Sequence, residues 1–239
     1  MKVTRILASL LFLAAAASTA SAVPAVRMSW DNCTPLVVNK DVAPGTIAGL
    51  YGSVVGQELP HQGYEVWLLL GGGGPIADAW RFDSDGCQTP AGIALDHTAP
   101  TAVSKTCPSF QGLLASVQVK TYDYDPSTGK ARAVVANAYP AGILNPVLTQ
   151  RYFLMRANFD HTFSVNGPTN PGVDCGGLER GVCVHVTRAN WLDLAGITIP
   201  FALENEFVTA RDPANDTRCP GATPVETKTW GQIKDAYRN

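Results

Sequence analysis

The chain has 239 residues, of which 46% are hydrophobic and 16% are charged, and its formal net charge at pH 7 is -2. Such a small and dispersed charge excludes the basic surface of a nucleic-acid-binding protein and gives no attraction to an anionic membrane. Asp outnumbers Glu by 14 to 6, and 22 glycines and 17 prolines accompany many Val and Thr residues, a composition that favours turns and strands and predicts an all-β fold.

The first 22 residues have the pattern of a secretory signal peptide. Lys2 and Arg5 precede an apolar run over residues 6–17, and small residues end the pattern at Ala22. The run is shorter than the roughly 20 residues that cross a bilayer, and no later run reaches that length, so we expect no transmembrane segment. Removing 22 of the 239 residues leaves a mature chain of 217, which we expect to be secreted, extracellular or periplasmic.

The mature part contains six cysteines, an even number that predicts three disulfides in an exported protein. These residues are Cys33, Cys87, Cys107, Cys175, Cys183 and Cys219. Short separations favour pairing Cys87 with Cys107 and Cys175 with Cys183, which leaves Cys33 to pair with Cys219. A zinc site is the alternative, but the chain has no C-x-x-C or H-x-x-x-H spacing.

Eight segments have the alternation or the β-branched content of strands. In chain order they are residues 46–55, 64–70, 79–82, 114–124, 131–138, 153–165, 182–187 and 206–210. The clearest is 153–165, where apolar and polar residues alternate over 13 positions, so one face is predicted to lie on the core. Its length suggests either one long strand or two collinear strands joined by a bulge. The sequence Asp125-Pro126-Ser127-Thr128-Gly129 predicts a hairpin turn, because Pro presets φ and Gly accepts a left-handed conformation.

The chain is predicted to form one main domain with an appended C-terminal element. The β-sandwich covers 23–210, and its part from 167–210 is rich in loops. A connector with Pro and Gly follows at 211–228, and the last 11 residues, 229–239, have a helical pattern. Thr229 and Gln232 have capping-box spacing, and one helical face carries Trp230, Ile233 and Tyr237.

A helix this short is unstable alone, so we expect it to dock on the protein's own core or on a partner.

At the level of architecture, the signal peptide, the short strands, the Pro-Gly hairpin and the disulfides resemble the immunoglobulin-like or cohesin-like β-sandwiches of exported bacterial proteins. The resemblance implies an antiparallel β-sandwich, and together with the cysteines and the pattern at 229–239 it gives a disulfide-stabilised sandwich with a short C-terminal amphipathic helix as the predicted fold. It is architectural and transfers no functional residue.

Two acidic pairs give a calcium hypothesis, because calcium prefers several oxygen ligands in loops. Asp83 and Asp85 form the first pair, and Asp123 and Asp125 form the second. Neither completes the helix-loop-helix calcium motif, and turn-forming aspartate is the simpler interpretation of both. We expect no other cofactor.

Two tyrosines give a carbohydrate hypothesis, because Tyr122 and Tyr124 lie on one face of a predicted strand and exposed rings can stack on sugars. Packing across the strands is the simpler interpretation. His161 lies on an apolar strand face and is expected to be a core residue, whereas His185 is expected to be exposed.

No motif in the chain points to catalysis, and Gly52-Ser53-Val54-Val55-Gly56 lacks the order of a nucleophile elbow. We therefore predict an exported, non-catalytic protein with a binding, adhesive or scaffolding role, whose partner is an extracellular polysaccharide or protein. A carbohydrate-binding module is the first alternative. A hydrolase of an extracellular polymer is the second, and it requires an acidic pair facing a cleft.

Overall fold

The computed structural model describes residues 24–55, 60–94, 107–108, 117–143, 147, 149–170 and 174–211. The predicted signal peptide at 1–22, nearly all of the connector at 211–228 and the predicted helix at 229–239 lie outside these residues. Twelve strands are described: β1 Ala25–Trp30, β2 Asn39–Lys40, β3 Ile47–Val55, β4 His61–Gly71, β5 Ile93–Ala94, β6 Val117–Asp125, β7 Lys130–Ile143, β8 Tyr152–Asp160, β9 Val182–Asp193, β10 Thr198–Pro200, β11 Ala202–Leu203 and β12 Phe207–Ala210.

The strands form two sheets that enclose one hydrophobic core. Sheet A has the order β11-β1-β3-β8-β5, and sheet B has the order β2-β12-β9-β4-β7-β6, with β10 paired to β9. Most neighbours are antiparallel, but β11 runs parallel to β1 and β2 runs parallel to β12. The predicted all-β, two-sheet architecture is confirmed, and two short parallel pairs are added to it.

Aromatic rings fill the centre of the core. Phe159 of β8 contacts Trp30, Trp80 and Phe82, with ring centroids 5.8, 5.4 and 5.0 Å away. All four side chains are almost completely buried, and burying each contributes about 1.5–3 kcal/mol to folding. Trp80 belongs to a single 3-10 turn, Asp78–Trp80, so the strand predicted at 79–82 is wrong. The Trp80 indole enters the core from a turn, and the apolar residues around such a buried side chain resemble those of a strand in the sequence.

The hairpin between β6 and β7 has the turn that the sequence predicts. Asp125 Oδ1 accepts hydrogen bonds from the backbone N–H of Ser127 at 2.9 Å and from its hydroxyl at 2.6 Å. Gly129 closes the turn with φ at 67°, and a Cβ there would lie 2.6 Å from Cα of Pro75. Only glycine fits this position without strain.

The long alternation at 153–165 is interrupted in the structure. Strand β8 ends at Asp160, and its register against β3 shifts between Gly52 and Ser53. A bulge changes which side chains of the strand face the core on its two sides. Phe153 therefore packs with Tyr51 on the outer side of sheet A. Phe163 lies beyond the strand and is 71% exposed.

The disulfides join segments that are distant in the chain. Cys33 is bonded to Cys107 and Cys87 to Cys175, with Cα atoms 6.0 and 5.9 Å apart. Cys183 is also disulfide-bonded. The predicted pairing by short separation is therefore wrong, because the fold brings together segments that lie 74 and 88 residues apart in the chain. Among the described residues, no helix is long and apolar enough to cross a membrane.

Candidate functional site

The candidate site lies on the face of sheet B that is turned away from the core, here called the outer face. Strand β4 alternates, so that Val66 and Leu68 enter the core whereas Glu65 and Trp67 lie on the outer face. Glu65 is paired with Asn190 of β9 on one side and with Ala136 of β7 on the other. The centre of the outer face is therefore built from three adjacent strands.

A buried polar cluster occupies this centre. Asn190 Nδ2 donates a hydrogen bond to Glu65 Oε1 at 2.6 Å, and Arg188 Nη2 lies 3.1 Å from the same oxygen. The Glu65 side chain is only 3% exposed, so its carboxylate depends on these two partners for the hydrogen bonds that water would otherwise supply. Arg188 is 28% exposed and connects the cluster to solvent.

An apolar pocket of about 240 Å³ opens beside the polar cluster, and we call it the outer-face pocket. Its walls come from β4, β6, β7, β9 and β10: Gly63, Tyr64, Glu65, Val119, Ala136, Asn137, Ala138, Asn190, Trp191, Leu192 and Thr198. The depression exists because three of its lining residues have little or no side chain, namely Gly63, Ala136 and Ala138. At Gly63 a Cβ would lie 2.3 Å from the carbonyl oxygen of Asn137, so the glycine is needed for the close approach of β4 and β7.

The chemistry of the pocket is that of binding. Its polar floor is already satisfied, since the Glu65 oxygen is engaged by Asn190 and Arg188. Its walls present methyl and methylene groups, and its size is just below the range of about 300–1,000 Å³ that holds drug-sized ligands. A pocket with these properties suits one aliphatic side chain.

Two further side chains on the outer face are buried. Trp67 is 7% exposed and His185 is 6% exposed, and neither belongs to the core between the sheets. Burial lowers the pKa of His185, and nearby Glu206 opposes this shift. The expectation that His185 is exposed is wrong, because this part of the outer face is not open to water.

Tyr122 and Tyr124 both lie on the inner side of β6, at the edge of the core. The Tyr122 ring packs on Phe82 with centroids 5.5 Å apart, and the Arg81 guanidinium lies 3.9 Å from the centre of the Tyr124 ring. Burial raises the pKa of Tyr122. The rings are engaged within the protein, which agrees with the simpler interpretation that they pack against their neighbours, and the carbohydrate hypothesis stays a prediction.

The four aspartates of the calcium hypothesis lie in different surroundings. Asp83 binds Arg81 through both oxygens, and although burial raises the pKa of Asp83, the Arg81 hydrogen bond and charge lower it overall. Asp125 is held by the hairpin turn, while Asp85 and Asp123 are exposed. Within the described residues, no three His, Cys, Asp or Glu side chains are grouped as a metal site would need. The calcium hypothesis stays a prediction.

His161 is fully buried and lies in the core. Its Nδ1 is 3.1 Å from the Ser164 hydroxyl, and its ring centroid is 4.5 Å from that of Trp80. Burial lowers the pKa of His161 to about 4; Asp160 opposes this shift and Arg211 adds to it. The side chain is neutral at physiological pH and supports the aromatic centre of the fold.

The outer-face pocket was not found from the sequence. Glu65 is a lone acid within an otherwise apolar segment, and such an interruption signals a buried polar contact. Its partner Asn190 is 125 positions away, so the contact depends on the order of strands in sheet B. No local pattern reports that order.

Comparison with known proteins identifies solved structures of low similarity. No family model matches the chain, and no curated protein matches it. A type II cohesin domain from the cellulosome of Acetivibrio cellulolyticus is 10% identical with a TM-score of 0.38, covering 79% of this chain and 95% of the cohesin. A type III cohesin module from the ScaE scaffoldin of Ruminococcus flavefaciens is 13% identical with a TM-score of 0.37, covering 80% and 88%. These TM-scores lie below 0.5, so no partner or residue role is carried across.

Proposed function

We propose that this protein is an exported, non-catalytic binding module that holds a protein partner by accepting an aliphatic side chain in the outer-face pocket. The signal-peptide pattern and the disulfides support export, because disulfides persist in oxidising compartments. The observation that carries the binding role is the pocket itself, an apolar depression on a sheet face whose polar floor is already satisfied.

A protein partner fits the pocket better than a polysaccharide does. A sugar ring needs aromatic faces and several hydrogen-bonding groups, whereas the exposed walls here are those of Val119, Ala136, Ala138 and Leu192. The hydrolase alternative needs a pair of acids facing a cleft, and among the described lining residues Glu65 is the one acid. Its oxygen is committed to Asn190 and Arg188.

The test is a selection for ligands with a variant that fills the pocket. A displayed library of random peptides is selected on the oxidised mature protein, and Ala136→Trp is the blocking variant. Thr121→Trp is the matched control, because Thr121 is exposed on the same face of the adjacent strand and outside the pocket lining. We expect selected peptides to bind the Ala136→Trp protein at least about ten-fold more weakly, with binding to the control unchanged.

Two results contradict the proposal. One is equal binding of the selected peptides to wild type and Ala136→Trp, since the pocket would then take no part. The other is retention of the protein by insoluble cellulose or chitin while the library yields no peptide, which would favour the carbohydrate-binding alternative.

A further inference from the structure

Arginine side chains lie together on the outer side of sheet A, the side that faces away from the core. Arg27 of β1 lies there because its neighbours Val26 and Met28 enter the core. Its strand partner is Ser53 of β3, and Arg151 Nη1 donates a hydrogen bond to the Ser53 hydroxyl at 3.3 Å. Arg27 and Arg151 therefore both lie beside Ser53.

A single carboxylate lies between these two guanidinium groups. Arg151 Nη2 donates a hydrogen bond to Glu204 Oε1, and Arg27 Nη1 lies 3.5 Å from Glu204 Oε2. The Arg27 and Arg151 side chains are only 12% and 14% exposed. Among the described residues, no second acid lies within ion-pair distance of either arginine. Two positive charges that are largely withdrawn from water thus share one negative charge, and an uncompensated charge in such a position is costly.

Hydrogen-bond donors without acceptors are also found on this surface. Arg27 Nη2 donates to the Cys33 carbonyl oxygen at 2.6 Å, but Arg27 Nε is buried and has no hydrogen-bond partner among the described residues. Arg156 of β8 lies on the same side of sheet A, and its buried Nε also has no partner in the described part of the chain. Arg156 is paired with Tyr51, two positions before Ser53 on β3. Buried donors normally have acceptors, so this surface is short of acceptor atoms as well as of negative charge.

We propose that the outer side of sheet A binds a small oxyanion, held by the guanidinium groups of Arg27 and Arg151 with added positive charge from Arg156. A phosphate, sulfate or carboxylate group supplies both negative charge and acceptor oxygens, and guanidinium groups bind such groups through paired hydrogen bonds. Arg27, Arg151 and Glu204 are all partly exposed, so an ion can reach them from solvent. The site lies on the other sheet from the outer-face pocket and does not rest on the proposed function.

The test is a titration of the isotope-labelled, oxidised mature protein with sodium phosphate at constant ionic strength, followed by NMR. We expect saturable shifts of the Arg27 Nε–H signal and of the Ser53 amide signal. Arg27→Met should weaken phosphate binding at least about ten-fold, because it removes a charge-assisted contact. Glu204→Gln should strengthen binding at least about three-fold, because it removes the carboxylate that competes for the same guanidinium groups. Arg132→Met is the matched control with unchanged affinity, since Arg132 is exposed on sheet B.

Sodium acetate, titrated in the same way, separates two classes of ligand. A response equal to that with phosphate extends the site to carboxylate groups, and no response restricts it to tetrahedral anions.

Three results overturn the proposal. The first is the absence of a saturable phosphate shift, which would mean that water satisfies the buried Nε groups. The second is an equal loss of affinity in Arg132→Met and Arg27→Met, which would indicate general screening of surface charge. The third is unchanged or weaker binding by Glu204→Gln, and this result decides the question even if Arg27→Met does not fold.

Discussion

Acidification should destabilise this protein through His161. This effect is expected between about pH 6.5 and pH 4, before most carboxylates are protonated. Burial lowers the pKa of His161 from the ordinary 6.5 to about 4, with Asp160 opposing and Arg211 adding to the shift. The folded protein therefore takes up this proton at a lower pH than the unfolded chain does. Each pKa unit corresponds to about 1.36 kcal/mol, so the whole shift corresponds to about 3 kcal/mol.

The sign follows from which state binds the proton first. Above the unfolded pKa of 6.5 both states hold His161 neutral, and its stabilising contribution is complete. As pH falls towards about 4, the unfolded chain is protonated while the folded protein is not, so the free energy of unfolding decreases. The lowered pKa values of Asp160, Asp125 and Glu179 act below the ordinary carboxylate pKa, at more acidic pH. Burial also lowers the pKa of His185, so wild type must be compared with a His161 variant to isolate the contribution of His161.

The assay is urea unfolding of wild type and His161→Gln at several values between about pH 8 and pH 4. At the upper end the variant should be about 1–2 kcal/mol less stable, because it loses the contacts with Trp80 and Ser164. Towards the lower end wild type should lose about 3 kcal/mol that the variant does not lose, since Gln does not titrate, so the difference should reverse and His161→Gln should become the more stable protein. Ser164→Ala, which removes the hydrogen bond but keeps the imidazole, should retain the pH dependence of wild type. A constant difference between wild type and His161→Gln would refute the reasoning.

Three other predictions concern stability. Replacing Cys87 and Cys175 by Ser opens a loop of 88 residues and should cost about 4–5 kcal/mol in urea unfolding. Thiol titration of this variant should find no free thiol, whereas the short-range pairing would leave Cys107 and Cys183 free. Gly129→Ala should lower the melting temperature more than Gly45→Ala, because both have positive φ but only Gly129 has Pro75 within 3 Å of an added Cβ. Arg188→Met should lower the free energy of unfolding by about 3 kcal/mol, because it leaves the Glu65 carboxylate without its ion pair. The double variant Glu65→Leu/Arg188→Met should be more stable than this single variant. Equal stability of the single and the double variant would contradict a buried ion pair.

Local signals in the sequence predicted those elements whose cause is local. The hairpin from Asp125 to Gly129 is specified by its own Pro and Gly, and strands β3 and β4 overlap the apolar segments predicted as strands at 46–55 and 64–70. Trp80 was misassigned, because burial against Phe159 makes a loop residue look like a strand residue. The length of the alternation at 153–165 allowed for a bulge, but its position near Phe153 depends on the register against β3 and was not predicted.

Contacts between distant parts of the chain could not be predicted from local sequence signals. The bond from Cys33 to Cys107 spans 74 residues and the bond from Cys87 to Cys175 spans 88, and separation alone gave the wrong partners. The outer-face pocket has the same origin, since its walls come from strands spread from β4 to β10. The topology of sheet B, with β9 inserted beside β4, is the information that the sequence patterns lacked.

The polar cluster of Glu65, Asn190 and Arg188 beside the outer-face pocket favours a role of this surface in binding over a role in stability. A buried ion pair rarely stabilises a protein more than apolar residues of the same size do, because removing both charges from water is costly. Glu65 and Arg188 nevertheless occupy central strands, where apolar side chains would pack. Leu at position 65 cannot make the contacts with Asn190 and Arg188 that hold the Glu65 side chain, so we expect Leu to occupy part of the depression instead. The double variant Glu65→Leu/Arg188→Met is therefore expected to fold and to lose pocket-dependent peptide binding, and retained binding would assign the cluster a structural role alone.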